Sequence, residues 1–488
     1  MSLLICTLGS SDLAARDEAL RGLSERERAA RILAEWPASG ADLALPIIGK
    51  ALRYVQSRPG PLELVVLVAS DQGADPPADA EARHDWSKDT IVTAEIVRRL
   101  LVAGADGCAP LPPERVAVWT VAGEDGAGCD PSDYDAVRRF FERRLPELRA
   151  SHPEATAYLE VTGGTPAMTT GLLVAGTEVF GARAGALYIH PRRPLPATLS
   201  TGKRLHAGPL RAALRSNVAT FDYDAALRLL REERAVIADR LAPGAAEVLD
   251  ALLEHARCRF NFDLPGARRA LEGGVDAAGD GRWRTQLMDL YQSVYQPSRE
   301  ALLAEVYHGA AARYKVGAYA DFLTQVVRFQ ENALRLLCLR RGAQFIDRRG
   351  QPSDDGGRLS QAWAVAQGFV SSTSTWRDLQ TNRPRLRDLA LHLAGQRGED
   401  LTPVIKALDR LNQLANLRNE AVHSLKGVTP ADLAEAFVGP GAPEHRAGEI
   451  VPHLAHTYAL LAGRAPGESP FAGINQLIES LLREAGRP

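Results

Sequence analysis

Over its first 200 residues or so the sequence alternates short apolar runs with amphipathic stretches, an order that few folds accept. Leu3–Thr7, Leu62–Ala69, Arg115–Val121, Ala157–Val161 and Gly185–His190 have the length and apolar content of buried strands. Stretches with helical spacing lie between them, around 41–57, 88–103, 132–150 and 166–181. Such alternation predicts a mainly parallel sheet with helices on both faces, its ligands held at the carboxyl ends of the strands. The proline-rich run Pro191-Arg192-Arg193-Pro194-Leu195-Pro196 closes the pattern, and from about residue 205 the chain reads as helical throughout. The expected class is α/β plus all-α, in three regions: 1–204, a helical linker over 205–310, and a helical bundle over 311–488.

The strand ends share one chemistry. They carry Thr7-Leu8-Gly9-Ser10-Ser11-Asp12, Ser70-Asp71-Gln72-Gly73, Ala122-Gly123-Glu124-Asp125-Gly126 and Thr162-Gly163-Gly164-Thr165-Pro166-Ala167-Met168. Small hydroxyl-bearing turns of this kind expose backbone amides. Thr165 with Pro166 also predicts a capped helix start aimed at the ligand face, which favours an anion. The glycine spacings of dinucleotide and ATP sites are absent, as is a nucleophile elbow.

A second feature lies near the other end, in Leu401–Lys426. Thr402 and Pro403 predict a helix start, and Gly427 a stop. Val404, Leu408, Leu411, Ala415 and Val422 recur as one apolar stripe, with Arg418 falling on it. A buried guanidinium needs an acid partner or a wet cleft, and Glu331 or Arg328 on the amphipathic stretch 320–339 are candidates to meet this helix. Asn412, Asn416, Asn419 and His423 form a polar line beside the stripe. The arginine-rich stretch 376–393 reads as a solvated helix face or an RNA contact. The stretch 347–357 reads as a polar loop.

These motifs resemble two known families. Arg418-Asn419-Glu420-Ala421-Val422-His423 resembles the arginine, four residues, histidine motif of HEPN ribonucleases. The turns at 7–12 and 162–168 resemble the ligand loops of Rossmann-like CARF domains, the sensors of type III CRISPR systems. The resemblance implies a cyclic oligoadenylate, tetra- or hexaadenylate, as an allosteric activator lying across a homodimer of such sheets. Carried over, it puts Gly9, Ser10, Ser11, Gly163, Gly164, Thr165, Pro166 and Met168 against that ligand, with Lys88 and Thr90 as further contacts. It makes Arg418, Asn419 and His423 catalytic, at a composite cleft where the motifs of two chains meet, with single-stranded RNA as substrate and 2′,3′-cyclic phosphate ends as products. A helical insert between sensor and nuclease is also implied.

The residue types suit that chemistry. RNA carries its own nucleophile, the 2′-hydroxyl. Cleavage then needs a proton-transfer group near neutrality, which histidine supplies, and a cationic fork for the phosphorane, which arginine supplies. No carboxylate cluster at ligand spacing or cysteine pair suggests a metal, so the expected reaction needs no cofactor. Net charge is −2, which excludes a polycation coating nucleic acid and confines any RNA contact to a local groove. The five scattered cysteines form no framework, and no apolar run reaches membrane-spanning length, so a reduced cytoplasmic protein is expected. Two alternatives stay open: a non-catalytic nucleotide-binding regulator that uses the bundle for partner binding, and slow cleavage of the ligand by the sensor loops themselves.

Overall fold

The computed structural model describes residues 1–15, 20, 22–36, 43–73, 75–122, 129–190, 192–199, 201–238, 241–279, 281–424 and 427–484, without the side chains of 201–204, 423, 424 and 484. The chain falls into two compact units, one of residues 1–212 with 233–239 and one of 213–232 with 240–488. The stretches expected as helical linker and as bundle share the second unit, apart from 205–212 and 233–239.

The first unit is built on β1 (Ser2–Thr7), β4 (Leu62–Ser70), β5 (Val116–Val121), β6 (Thr156–Glu160), β7 (Ala184–Tyr188) and β8 (Ala197–Leu199). The strand order is β5-β4-β1-β6-β7-β8, parallel except for the antiparallel edge strand β8. A short antiparallel pair, β2 (Ala14–Ala15) with β3 (Leu43–Ala44), stands apart. β1 is buried on both faces, and its side chains alternate between two cores. Leu4 and Cys6 face α1 (Glu25–Ala34), α2 (Ile48–Gln56) and α4 (Ile91–Ala103), which follows the short α3 (Ala80–Trp86). Leu3 and Ile5 face α5 (Tyr134–Ser151) and α6 (Pro166–Phe180). The five strand expectations match β1, β4, β5, β6 and β7. Missed were the short α3, the β2–β3 pair, α1, whose sequence is strongly charged but which Ser24 and Glu27 start as a reciprocal capping box, and β8, which directly follows the proline-rich run. The helix expected from 41 starts at Ile48.

The second unit is helical. The unit boundary falls inside α7 (Thr201–Ala219). Then come α8 (Tyr223–Glu232), α10 (Ala245–Phe260), α11 (Leu264–Ala277), α12 (Arg282–Val294), α13 (Arg299–Lys315) and α14 (Tyr319–Leu339), while the one-turn α9 (Arg234–Ile237) between α8 and α10 in sequence belongs to the first unit. A small antiparallel pair, β9 (Phe345–Ile346) with β10 (Arg358–Leu359), precedes α15 (Gln361–Ala366), α16 (Arg383–Arg397), α17 (Thr402–Asp409), α18 (Asn412–Ser424), α19 (Pro430–Val438), α20 (Ile450–Ala462) and α21 (Pro470–Glu484). Phe221 and Phe262 mark one structural joint used twice. In each, a phenylalanine at positive φ ends a helix, and the next residue's amide closes back on a carbonyl five residues earlier, Asn217 or Cys258. The aspartate there then caps the following helix, Asp222 through the Ala225 N–H and Asp263 through the Gly266 N–H. At Gly317 the same closure runs from the Ala318 amide to the Arg313 carbonyl. The loop expected over 347–357 is tied down: Arg335 donates to the carbonyls of Asp354 and Gly356 at 3.2 and 2.9 Å. No helix among the described residues is long and apolar enough to cross a membrane.

Candidate functional site

The strand order reverses direction between β1 and β6, and the crevice at such a switch point is where open α/β sheets hold ligands. The turns singled out in the sequence, after β1 and after β6, are the two that flank this point. They interlock. A Cβ on Gly9 would stand 2.5 Å from the Gly164 nitrogen, and one on Gly163 would stand 2.3 Å from Asp12 Oδ2 and 2.5 Å from the Thr7 carbonyl. Only glycine allows this approach, and Gly164 adds a φ of +83°. The Thr7 hydroxyl donates to the Gly163 carbonyl at 2.5 Å. Ser10, Ser11 and Pro166 are exposed, and Gly9, Gly164 and Thr165 half-buried, so these six line the surface that the turns present.

Four expected contacts are not free to meet a ligand. Gly163 is buried beneath the turn, its carbonyl taking the Thr7 hydroxyl. The Met168 side chain is 1% exposed in the core under α6, and its N–H donates to the Thr165 hydroxyl at 3.2 Å. Thr90 is buried, its hydroxyl taking the Ser70 N–H at 3.0 Å, so it braces the turn after β4. The Thr165 hydroxyl caps α6 and donates to the Pro131 carbonyl, which leaves its backbone as the ligand-facing part. Lys88 is exposed and paired with Asp85 at 3.1 Å. Of the turn expected at 122–126, residues 123–126 lie outside the described residues.

Other groups at this end were missed. Arg26 on α1 clamps the turn after β4, donating to Asp71 at 2.7 Å, the Gly73 carbonyl at 2.8 Å and Asp89 at 3.1 Å, with Trp86 stacked 4.3 Å away. Asp12 and Glu160 are fully buried. Asp12 Oδ2 accepts the Gly9 N–H at 2.7 Å, and Glu160 Oε1 accepts the Thr162 N–H at 2.7 Å. Turn amides expected to face a ligand are therefore held from below by the chain's own acids. Burial pushes both carboxyls up, Glu160 to about 7, and their mutual repulsion adds to the rise of Asp12. The sequence signal was there: Glu160 ends an apolar strand at a position whose neighbours are core.

In the second unit the helix expected from 402 breaks in two. Leu401, not Thr402, is the capping residue, Thr402 opens α17, and the chain turns at Arg410 and Leu411 before α18 starts. The Leu408 carbonyl, which a continuous helix would pair with the Asn412 N–H, instead accepts from the Gln330 side chain at 2.8 Å and the Leu411 N–H at 3.1 Å. Gln330, 2% exposed on α14, also donates to Asn412 Oδ1 at 2.7 Å and accepts from Arg383 at 2.8 Å. It is this glutamine, not Arg328 or Glu331, that meets the helix; Arg328 lies over the Phe262 ring at 4.9 Å and Glu331 is exposed. Arginines of the 376–393 stretch are drawn inward likewise, Arg387 to Asp409 at 2.9 Å and Arg385 onto Phe369 at 4.7 Å.

α18 buries Leu414 and Ala415, half-buries Arg418, and leaves Asn416 and Asn419 exposed. Val422, expected in the core, is 57% exposed, so the apolar stripe is covered at its start and bare at its end. Arg418 has no acid partner among the described residues. Its Nε is buried and unbonded, and Nη1 reaches Asn419 Oδ1 at 3.3 Å. His423 lies on α18 five residues after Arg418, and its side chain lies outside the described residues.

No family model and no curated protein matches the sequence. Among solved structures, Enterococcus italicus Csm6 bound to cyclic hexa-2′-fluoro-hexa-dAMP superposes with a TM-score of 0.59, covering 99% of this chain and 100% of that one at 12% identity. The chain has the fold of Csm6. The likeness runs from the sheet unit through the helical unit, so order and content of both parts are shared. At this identity it speaks for the architecture and leaves the side chains to be argued from this chain.

Proposed function

We propose that the chain is a cyclic-oligoadenylate-activated endoribonuclease of type III CRISPR defence: the sheet unit senses the ligand, and paired α18 helices of a homodimer cut single-stranded RNA without a metal. The observation that carries the reading is Arg418, a half-buried guanidinium with no acid beside it among the described residues, on the same helix as His423. An unpaired cation in such a place is costly unless an anion visits it, and a scissile phosphate is that anion. Asn419 orients the guanidinium. The sensor half of the reading is supported by the switch-point turns and by the cyclic adenylate analogue held by the Csm6 of like fold. Ser10, Ser11 and the backbones of Gly9, Gly164, Thr165 and Pro166 are the ligand-facing groups in this reading. Dimerisation is supported by Val422, an apolar residue bare on the Arg418 face of α18.

One experiment tests both halves. Labelled single-stranded RNA is incubated with the protein in EDTA, with and without cyclic tetra- or hexaadenylate. Cleavage should require one of the rings and should leave 2′,3′-cyclic phosphate ends. Arg418→Ala and His423→Ala should each lower the rate about 10²-fold or more while leaving ring binding intact. Full activity without a ring refutes the sensor. Undiminished cleavage by His423→Ala leaves the bundle as a non-catalytic module.

A further inference from the structure

Asp12 and Glu160 sit directly beneath the two turns of the switch point, each with one oxygen spent and one bare. Asp12 Oδ2 takes the Gly9 amide and lies under Gly163; Glu160 Oε1 takes the Thr162 amide. Asp12 Oδ1 and Glu160 Oε2 are buried with no partner, and neither acid is in an ion pair among the described residues. A bare buried oxygen on a carboxyl whose other oxygen already accepts an amide is the place for a proton.

We propose that Asp12 and Glu160 are positioning residues for the anionic ligand of these turns, that they work as a pair of neutral acids, and that ligand binding therefore takes up protons. This rests on reading the sheet unit as a sensor of a phosphodiester ring. Neutral, the pair holds the Gly9 and Thr162 amides in place without charge. Ionised, it sets negative charge behind the surface on which the phosphates lie, in a medium where water screens little. A ligand that carries several phosphates favours the neutral pair, and by reciprocity the neutral pair favours the ligand.

Beside the Arg26, Asp71 and Asp89 cluster, other charged and titratable groups lie at this end among the described residues. Cys6 on β1 stands opposite Glu160 in register, its thiol pushed up by burial and by both acids. Glu25 on α1 is engaged by Arg28 at 2.5 Å and by the Thr93 hydroxyl of α4 at 2.8 Å, while Arg28 also reaches the Ser10 carbonyl at 3.1 Å. Lys50 on α2 donates to the carbonyl of His190, which follows β7, at 3.4 Å. Arg28 is thus already bound to an acid. A Glu160 variant separates the pair's protons from those of any other group at this end.

The test is calorimetric titration of the full-length protein with cyclic hexaadenylate and cyclic tetraadenylate between about pH 6.5 and 9, in buffers of two ionisation enthalpies. Phosphodiesters and adenines do not titrate in that range, so any proton uptake belongs to the protein. Affinity should fall above pH 7 by up to about tenfold per pH unit for each proton taken up. Glu160→Gln should lose most of that slope, and Asp12→Asn with Glu160→Gln should bind with no pH dependence. The amide oxygen that Asp12→Asn introduces still accepts from the Gly9 N–H, and thermal unfolding checks that each variant is folded. Wild-type affinity that is flat with pH, with no proton uptake, overturns the inference while leaving the sensor reading intact. So does a slope unchanged in Glu160→Gln. Folded protein that binds neither ring at any pH refutes the sensor reading, and the inference with it.

Discussion

Glu160 shows how one residue can carry a condition for the whole unit. Burial raises its carboxyl from 4.5 to about 7, and the Thr162 and Gly163 contacts lower it by less. A carboxyl raised by folding binds its proton more tightly in the native chain than in the unfolded one. Its contribution to stability is therefore fully present below about pH 4.5 and is lost as pH rises through about 7. Asp12 is shifted in the same direction, by burial first and by Glu160 next. Urea unfolding of the ligand-free protein should accordingly show the sheet unit less stable at pH 8 than at pH 6, by roughly 1–3 kcal/mol. Glu160→Gln should flatten that difference. A difference that persists unchanged in the variant would place its source elsewhere.

Among elements, α18 is the informative one. Its start is set by Gln330, which takes the Leu408 carbonyl and the Asn412 side chain and leaves α17 to end at Asp409. Asp409 is meanwhile held by Arg387. Periodicity alone ran one stripe from Val404 to Val422, because the apolar residues around the break at Arg410 and Leu411 keep their places: Leu408, Leu411, Leu414 and Ala415 are all buried. What interrupts the helix is a side chain from α14, 78 residues earlier in sequence, and no local pattern announces it. Gln330→Ala should leave the Leu408 carbonyl, Asn412 and Arg383 short of partners. We expect a loss of about 1–3 kcal/mol in denaturant unfolding, with a weaker response of RNA cleavage to ring binding as α18 loses its anchor. Unchanged stability would mean that water replaces the glutamine without cost.

For the whole molecule, the proposed active form is two chains, and the bare end of the α18 stripe is where that proposal is exposed to test. Val422→Asp puts a charge on the face that a second copy would cover. It should shift the protein toward monomer in sedimentation and lower RNA cleavage in parallel. Monomer that still cuts at full rate would remove the composite cleft. The five parallel strands of the sheet unit were legible from the chain, because each buried strand has to be an apolar run; the exposed edge strand β8 and the charged α1 carry no such signal. The two glycine turns were legible as well, since the close approach of Gly9 to Gly164 and of Gly163 to Asp12 tolerates no side chain. The motif at Arg418 was visible as residue types at helical spacing. The chain could not show by itself that Asp12 and Glu160 are both buried beneath those turns, that Met168 and Thr90 point inward, or that Arg418 finds no acid among the described residues. Each of those depends on which distant segment arrives beside it, and sequence spacing carries no record of a neighbour so far along the chain; packing decided them.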